Sequence, residues 1–360
     1  MTLQKKILLG MLAFVPAAIG AEWLHLPPVA VFVLAALGIV PLAASIAETT
    51  EEIAVVIGPV FGGLLNATFG NLTEMVVAFV ALKAGLVEVV KASILGAIIA
   101  NLLLGLGLAV LLGGLRHGEQ NFQPKTARLN ASALLLALLV LLTPSAIHST
   151  STGLTDPVIE KFSYVASILL LVFYGFNLFF SFRSTDSLEM VEALETEETI
   201  KEVEKHGSKN VWKQVIALLG FTVILVVISE ILVGSLEETV KVLGLTELFT
   251  GIILLPLFGG VVEYISCVSA AVKNQMELAV SVAIGSTLQV VLLVTPVLVL
   301  ASLLFETPLT LEFNIFGMFA ATATVLVTNS ISSDGQSNWL EGLLLLILYA
   351  VLGVAFYLHP

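Results

Sequence analysis

Charged side chains are scarce in this chain of 360 residues. They make up 12% of it, against about 25% in soluble domains, while 58% of the residues are hydrophobic and the mean hydropathy is +1.05. Most of the surface must therefore face lipid, which excludes a soluble globular protein. The long apolar runs also argue against a transmembrane barrel, whose strands alternate over segments of about ten residues. We predict an all-α, polytopic membrane protein.

Cysteine, aspartate and histidine are few, and their positions argue against several functions. The only cysteine, Cys267, excludes an intrachain disulfide. The three aspartates, Asp156, Asp186 and Asp334, are widely separated, which argues against a membrane-embedded enzyme with an Asp-rich metal motif. All five histidines lie in or near loops, so none is a persuasive proton relay. The net charge of -12 comes largely from one acidic stretch and indicates no nucleic-acid partner. We expect neither an enzyme nor a bound cofactor.

Eleven apolar segments come near the roughly 20 residues that cross a bilayer. The first, within residues 1–27, resembles a signal peptide, and we favour an uncleaved N-terminal transmembrane helix. Residues 184–210 form an acidic segment with helical spacing, predicted to be a cytoplasmic linker helix; whether it only connects or also senses cations stays open. The remaining spans are predicted near 28–47, 60–83, 86–114, 128–144, 158–182, 211–233, 247–272, 277–304, 308–328 and 338–358.

Lysine and arginine placement predicts the orientation. With a cytoplasmic N-terminus, eleven of the 15 basic residues lie on the cytoplasmic side and four on the opposite side. We therefore expect a multi-pass protein of a prokaryotic cell membrane, with the N-terminus inside and the C-terminus outside.

A glutamate motif occurs twice within predicted spans. Glu263 follows Glu74 by 189 positions, and further residues match at the same offset without a gap. These are Phe69, Gly70, Ala81, Glu88 and Gly96, which correspond to Phe258, Gly259, Ala270, Glu277 and Gly285. A charged group inside the bilayer is costly, so its default interpretation is functional.

The two copies lie in halves of five spans each, 28–183 and 211–360. Because five is odd, the second five-helix repeat must be inserted with inverted topology. Inverted repeats characterise many secondary transporters, whose substrate site lies at the repeat interface near the midplane. We predict that Glu74 and Glu263 meet there.

The residues around the glutamates favour a hard divalent cation. Glycines beside each glutamate, and Pro256 in the second copy, predict local unwinding that frees backbone carbonyls. Neutral oxygens are available from Ser93, Asn101, Ser281, Ser286, Thr287 and Gln289, and Asn66 and Asn71 are either ligands or helix-packing amides. Oxygen ligands with two carboxylates suit Ca²⁺. Without the ion the two glutamates would repel each other, so protons are its natural replacement.

Several stretches resemble the signature repeats of the calcium/proton exchangers in the calcium/cation antiporter superfamily. The first is Gly70-Asn71-Leu72-Thr73-Glu74 with the run from Gly96 to Asn101, and the second includes the run from Gly285 to Gln289. The resemblance implies exchange of Ca²⁺ for H⁺ across a lipid bilayer. It also implies Glu74 and Glu263 as core carboxylates that couple to protons, with Asn101, Ser286 and Gln289 on flanking helices.

The second motif departs from the family pattern. That pattern usually reads Gly-Asn-Ala-x-Glu-His, whereas Gly260 and Tyr264 stand here in place of the asparagine and the histidine. These two replacements affect how the second half can coordinate an ion, and they affect which cation the site selects.

Two other transport functions stay open. A sodium/calcium exchanger usually adds acidic residues and a proline beside the motif glutamate, and both are missing here. A passive cation channel would not need inverted repeats. Homo-oligomer formation is also left open. Acidic clusters near the ends of spans two and seven are either cation access sites or solvated helix ends; they are Glu48, Glu51, Glu52, Glu230, Glu237 and Glu238.

Overall fold

The computed structural model describes residues 3–151, 155–183 and 211–359. The predicted linker helix 184–210 lies outside the described residues. In the part described, the chain is almost entirely helical, and its two strands have two residues each, Gln120–Asn121 (β1) and Gln336–Ser337 (β2). This confirms the all-α class.

The first half of the chain contains nine helices and one π-helical segment among its described residues. Their bounds are Leu3–Met11 (α1), Phe14–Trp23 (α2), Pro28–Ile57 (α3), Pro59–Phe69 (α4), Leu72–Lys83 (α5), Val87–Ile99 (α6), the π-helix Ala100–Gly105 (π1), Leu106–His117 (α7), Pro124–Thr150 (α8) and Asp156–Arg183 (α9).

The second half, from residue 211, contains eight α-helices, two π-helical segments and one short 3₁₀ turn. Their bounds are Val211–Leu243 (α10), Glu247–Phe249 (α11), the π-helix Thr250–Leu254 (π2), Leu255–Gly259 (α12), Val261–Val272 (α13), Met276–Gln289 (α14), the π-helix Val290–Val294 (π3), Thr295–Ala301 (α15), the 3₁₀ turn Ser302–Leu304, Ile315–Ile331 (α16) and Trp339–Leu358 (α17).

Eight helical stretches among the described residues, three of them made of several consecutive elements, are long and apolar enough to cross a membrane. The count becomes nine if Glu247–Gly259 and Val261–Val272, which meet at a bend of 58°, form one span. The chain is thus a multi-pass membrane protein. Eleven spans stay a prediction, because α4 and α5 are short helices on either side of a break and Ile315–Ile331 is shorter than the spanning helices.

The described residues fall into two compact units. Unit 1 comprises Met1–Val80 and Phe176–Gly244, and unit 2 comprises Ala81–Gly175 and Leu245–Pro360. Each unit takes helices from both predicted repeats. The repeat boundaries at 28–183 and 211–360 therefore rest on the sequence pattern and stay a prediction.

In unit 1, the long helices α3 and α10 pack along each other. Small side chains such as Ala35 and Ala36 of α3 and Ser229 of α10 are fully buried, which allows close helix approach. The Gln214 amide near the start of α10 donates to Glu52 Oε2 near the end of α3, at 3.1 Å. The two helices are therefore antiparallel.

In unit 2, α6 of the first half and π2 of the second half cross so closely that their backbones are in contact. A Cβ on Gly96 of α6 would lie 2.5 Å from the carbonyl oxygen of Ile252 in π2. A Cβ on Gly251 would lie 2.3 Å from Cβ of Ala92. Only glycine fits at these positions, because the opposing atoms belong to rigid backbone or to the first side-chain carbon.

At one end of unit 2, three loops are joined by polar contacts. The buried Gln120 side chain donates to Ala271 O and to Asn274 Oδ1, both at 2.9 Å. The strands β1 and β2 pair antiparallel, with Gln120 opposite Ser337. The loops before α8, before α14 and before α17 therefore lie at the same end.

The segment between the 3₁₀ turn and α16 lies with the end of α8 at the other end of unit 2. Ser145 Oγ of α8 donates to Leu311 O and accepts from the Phe313 N–H, each at 2.8 Å. His148 contacts Glu312 nearby. The segment before α16 therefore lies at the end of unit 2 opposite the loops before α8, α14 and α17.

Candidate metal centre

Each motif glutamate lies in the first turn of a helix that begins just after a break. In the first half, α4 ends at Phe69 and α5 begins at Leu72, so Glu74 is the third residue of α5. In the second half, α12 ends at Gly259 and α13 begins at Val261, so Glu263 is the third residue of α13. The breaks occur at the glycine-containing positions that the sequence indicates.

This placement suits a carboxylate. The first N–H groups of a helix have no partner inside it, and together with the helix dipole they favour negative charge. Breaks of this kind inside spanning helices are typical of transporter sites. Each half therefore presents its acidic group from a helix N-terminus.

The carboxylate of Glu263 is partly buried. Its Oε2 atom is shielded from solvent and has no hydrogen-bond partner among the residues that the structure describes. Burying an ionised carboxylate oxygen without a partner is costly. A proton or a cation at this atom would remove that cost. Glu74 lies in unit 1 and Glu263 in unit 2, so the meeting of the two glutamates stays a prediction.

Two of the predicted neutral ligands are in contact within unit 2. The Asn101 amide of π1 donates to Ser286 Oγ of α14 at 3.2 Å, and both side chains are buried. Asn101 and Ser286 are not at equivalent positions of the repeat, since Ser286 corresponds to Ala97. For this reason the repeat pattern could not predict their pairing.

Two of the three described π-helical segments, π1 and π3, occupy equivalent positions of the repeat, whereas π2 corresponds to residues 61–65 inside α4. Residues 290–294 of π3 correspond, at the offset of 189, to positions inside π1. Gln289 is the last residue of α14, directly before π3, and Thr295 Oγ1 donates to Val290 O at 2.8 Å. Single π-helical turns are frequent at functional sites. Sequence periodicity gave no sign of them.

The remaining candidate polar residues lie in several environments. Asn71 is buried in the break before α5. Thr287 donates to Ala283 O at 2.7 Å and Ser93 to Val90 O at 2.8 Å, so both hydroxyls bond to their own helix. Among the described residues, no three His, Cys, Asp or Glu side chains form a group that could hold a metal ion. The predicted ligand set has only two carboxylates and relies on neutral oxygens.

The acidic clusters lie within α3 and α10 rather than beyond their ends. Both helices continue about ten residues past the predicted spans, to Ile57 and Leu243. Because α3 and α10 are antiparallel, the two clusters lie at opposite ends of this helix pair. Glu237 forms a solvent-exposed ion pair with Lys241 at 3.7 Å, which contributes little to stability. A role in cation access stays a prediction.

Comparison with known proteins identifies the family. The protein-family model described as "Sodium/calcium exchanger protein" matches residues 27–183 and 213–358 of the sequence. The chain belongs to this family. That result confirms the resemblance stated from the signature repeats.

Similar proteins cover nearly the whole chain. A Ca²⁺/H⁺ antiporter from Aphanothece halophytica is 48% identical over 99% of this chain and 98% of its own length. The Ca²⁺/H⁺ antiporter ChaA of Bacillus subtilis is 35% identical over 96% and 97%. The crystal structure of the Ca²⁺/H⁺ antiporter protein YfkE superimposes with a TM-score of 0.83 at 31% identity, over 98% of this chain and 100% of that one.

Proposed function

We propose that this protein is a secondary antiporter that exchanges Ca²⁺ for protons across a membrane. The observation that carries the proposal is the matched placement of Glu74 and Glu263, each in the first turn after a helix break. The names of the relatives at 48% and 35% identity favour protons over sodium as the counter-ion.

In this proposal, Glu74 and Glu263 bind either the metal ion or the protons that displace it. Two ionised carboxylates balance the charge of one Ca²⁺, and the unbonded Oε2 of Glu263 supports a need for a cation or a proton. Asn71, Asn101, Ser286 and Gln289 supply neutral oxygens. Because Asn101 donates its amide hydrogen to Ser286, the carbonyl oxygen of that amide can be directed toward the ion.

In the alternating-access cycle that we propose, α3 and α10 are the helices that move. Their dense mutual packing supports movement as one pair, and their acidic residues would attract cations at the two ends of that pair. When both glutamates are protonated they are uncharged and can move past an apolar barrier. When both are ionised they are bound to Ca²⁺.

The loops of unit 2 support the predicted orientation. Arg116, Arg128 and Lys273 lie near the end where β1 and β2 pair, and the Arg128 guanidinium donates to Ser333 O at 2.9 Å through Nε. Positive loops favour the cytoplasm, so we place this end inside and the end that carries His148 and Glu312 outside. With this, we propose the cytoplasmic N-terminus and the prokaryotic cell membrane that the sequence predicts.

The test is transport by the purified chain in liposomes, with gradients imposed one at a time. We expect ⁴⁵Ca uptake when a pH gradient is applied, and proton movement in the opposite direction when a Ca²⁺ gradient is applied. Uptake that needs a sodium gradient would show a sodium/calcium exchanger. Uptake that follows only the Ca²⁺ gradient and ignores pH would show a channel.

A further inference from the structure

The helix break before Glu263 is bridged by a tyrosine. The hydroxyl of Tyr264, in α13, donates to the carbonyl oxygen of Pro256, in α12, at 2.9 Å. The same carbonyl accepts the Gly260 N–H at 3.0 Å. The tyrosine is buried, with 7% of its surface exposed, so water does not replace this bond. One side chain thus links the two short helices that meet at the break.

The ring of Tyr264 occupies a slot between two glycines. A Cβ on Gly260 would lie 2.5 Å from the hydroxyl oxygen and 2.7 Å from Cζ. A Cβ on Gly105, in π1, would lie 2.7 Å from Cδ1. Position 260 therefore has no room for a side chain while the Tyr264 ring stays where it is. The identities of the two residues depend on each other.

The first half is built differently at the equivalent positions. At the offset of 189, Gly260 corresponds to Asn71 and Tyr264 corresponds to Met75. Asn71 brings a buried amide to its break, whereas methionine has no hydroxyl that could bridge one. The two halves therefore offer different chemistry next to their glutamates.

We propose that Gly260 and Tyr264 act as one positioning pair that makes the ion site asymmetric. The ring takes the space in which an amide at position 260 would lie, so only the first half has an amide at this position of the repeat. The hydroxyl fixes the break and, with it, the first turn of α13 that carries Glu263. This inference rests on the proposed Ca²⁺/H⁺ exchange.

Four variants in liposomes test the pair: Gly260→Asn, Tyr264→His, the double variant, and Tyr264→Phe. Gly260→Asn alone should lose at least about nine-tenths of ⁴⁵Ca uptake, because the asparagine meets the ring. The double variant should recover at least about half of the uptake, because histidine lacks the Cζ and hydroxyl atoms that lie over position 260. Tyr264→Phe should raise the apparent KM for Ca²⁺ about tenfold with an unchanged maximal rate, as expected for one lost buried hydrogen bond.

Two results would overturn the inference: a double variant no more active than Gly260→Asn, or an unchanged KM in Tyr264→Phe. The phenylalanine variant keeps the ring and decides the matter if Gly260→Asn does not fold. If the unmodified chain moves no Ca²⁺, the proposed function fails and the inference fails with it. If the unmodified chain exchanges Ca²⁺ for protons while either overturning result is found, only the inference fails.

Discussion

Ser286 and Thr287 are neighbours on α14, yet their hydroxyl groups have different partners. Ser286 Oγ accepts the Asn101 amide, while Thr287 Oγ1 bonds to the carbonyl of Ala283 in its own helix. Only the serine is therefore in contact with another predicted ligand. The pair offers a matched comparison of a ligand role with a packing role.

We predict that Ser286→Ala raises the apparent KM for Ca²⁺ about tenfold, because it removes one oxygen and releases the Asn101 amide. Thr287→Val should stay within about twofold of the unmodified chain, because its hydroxyl serves only its helix. ⁴⁵Ca uptake at varied Ca²⁺ concentration measures both. Equal effects of the two substitutions would remove Ser286 from the ligand set.

At the scale of the helices, Gly96 and Gly285 are equivalent in sequence but not in packing. A Cβ on Gly96 would meet the carbonyl oxygen of Ile252, whereas a Cβ on Gly285 would have no heavy atom within 4 Å. One glycine is therefore required by a helix crossing, and the other is not.

We predict that Gly96→Ala destabilises the protein by about 1–3 kcal/mol, because the opposing atoms are backbone and cannot move aside. Gly285→Ala should change stability little or increase it slightly, since alanine has the higher helix propensity. Thermal unfolding in detergent compares the two. If Gly285→Ala were the more damaging substitution, the described crossing of α6 with π2 would be wrong.

The helices themselves could be predicted from the sequence, because runs of apolar residues and the intramembrane glutamates are local signals. The breaks at Gly70 and Gly260 were indicated by glycines for the same reason. The Asn101–Ser286 contact and the bond of Tyr264 to Pro256 were not predicted. The Asn101–Ser286 contact joins non-equivalent positions of the repeat. The bond of Tyr264 to Pro256 depends on the angle between the two helices at the break, which the sequence does not reveal. The extensions of α3 and α10 were missed because acidic residues interrupt the apolar runs.

At the scale of the whole molecule, the orientation can be tested with single cysteines. The native thiol of Cys267 is buried, and Cys267→Ser gives a background without cysteine. Glu119 and Glu306 are both exposed and lie in loops at opposite ends of unit 2. We predict that a cysteine introduced by Glu306→Cys reacts with an impermeant reagent added outside intact cells. A cysteine introduced by Glu119→Cys should react only after the cells are opened, and the reverse pattern would contradict the proposed orientation.

In the proposed exchange, Glu74 and Glu263 carry Ca²⁺ and protons in turn. The most direct measurement is ⁴⁵Ca uptake driven by a pH gradient in liposomes that contain Glu74→Gln, Glu263→Gln or the control Glu88→Gln. Glu88 is exposed and pairs with Lys91, so its substitution should leave uptake near that of the unmodified chain. We predict that each of the other two variants loses uptake, because glutamine can neither balance the ion nor exchange a proton. Near-normal uptake by Glu74→Gln or Glu263→Gln would contradict it.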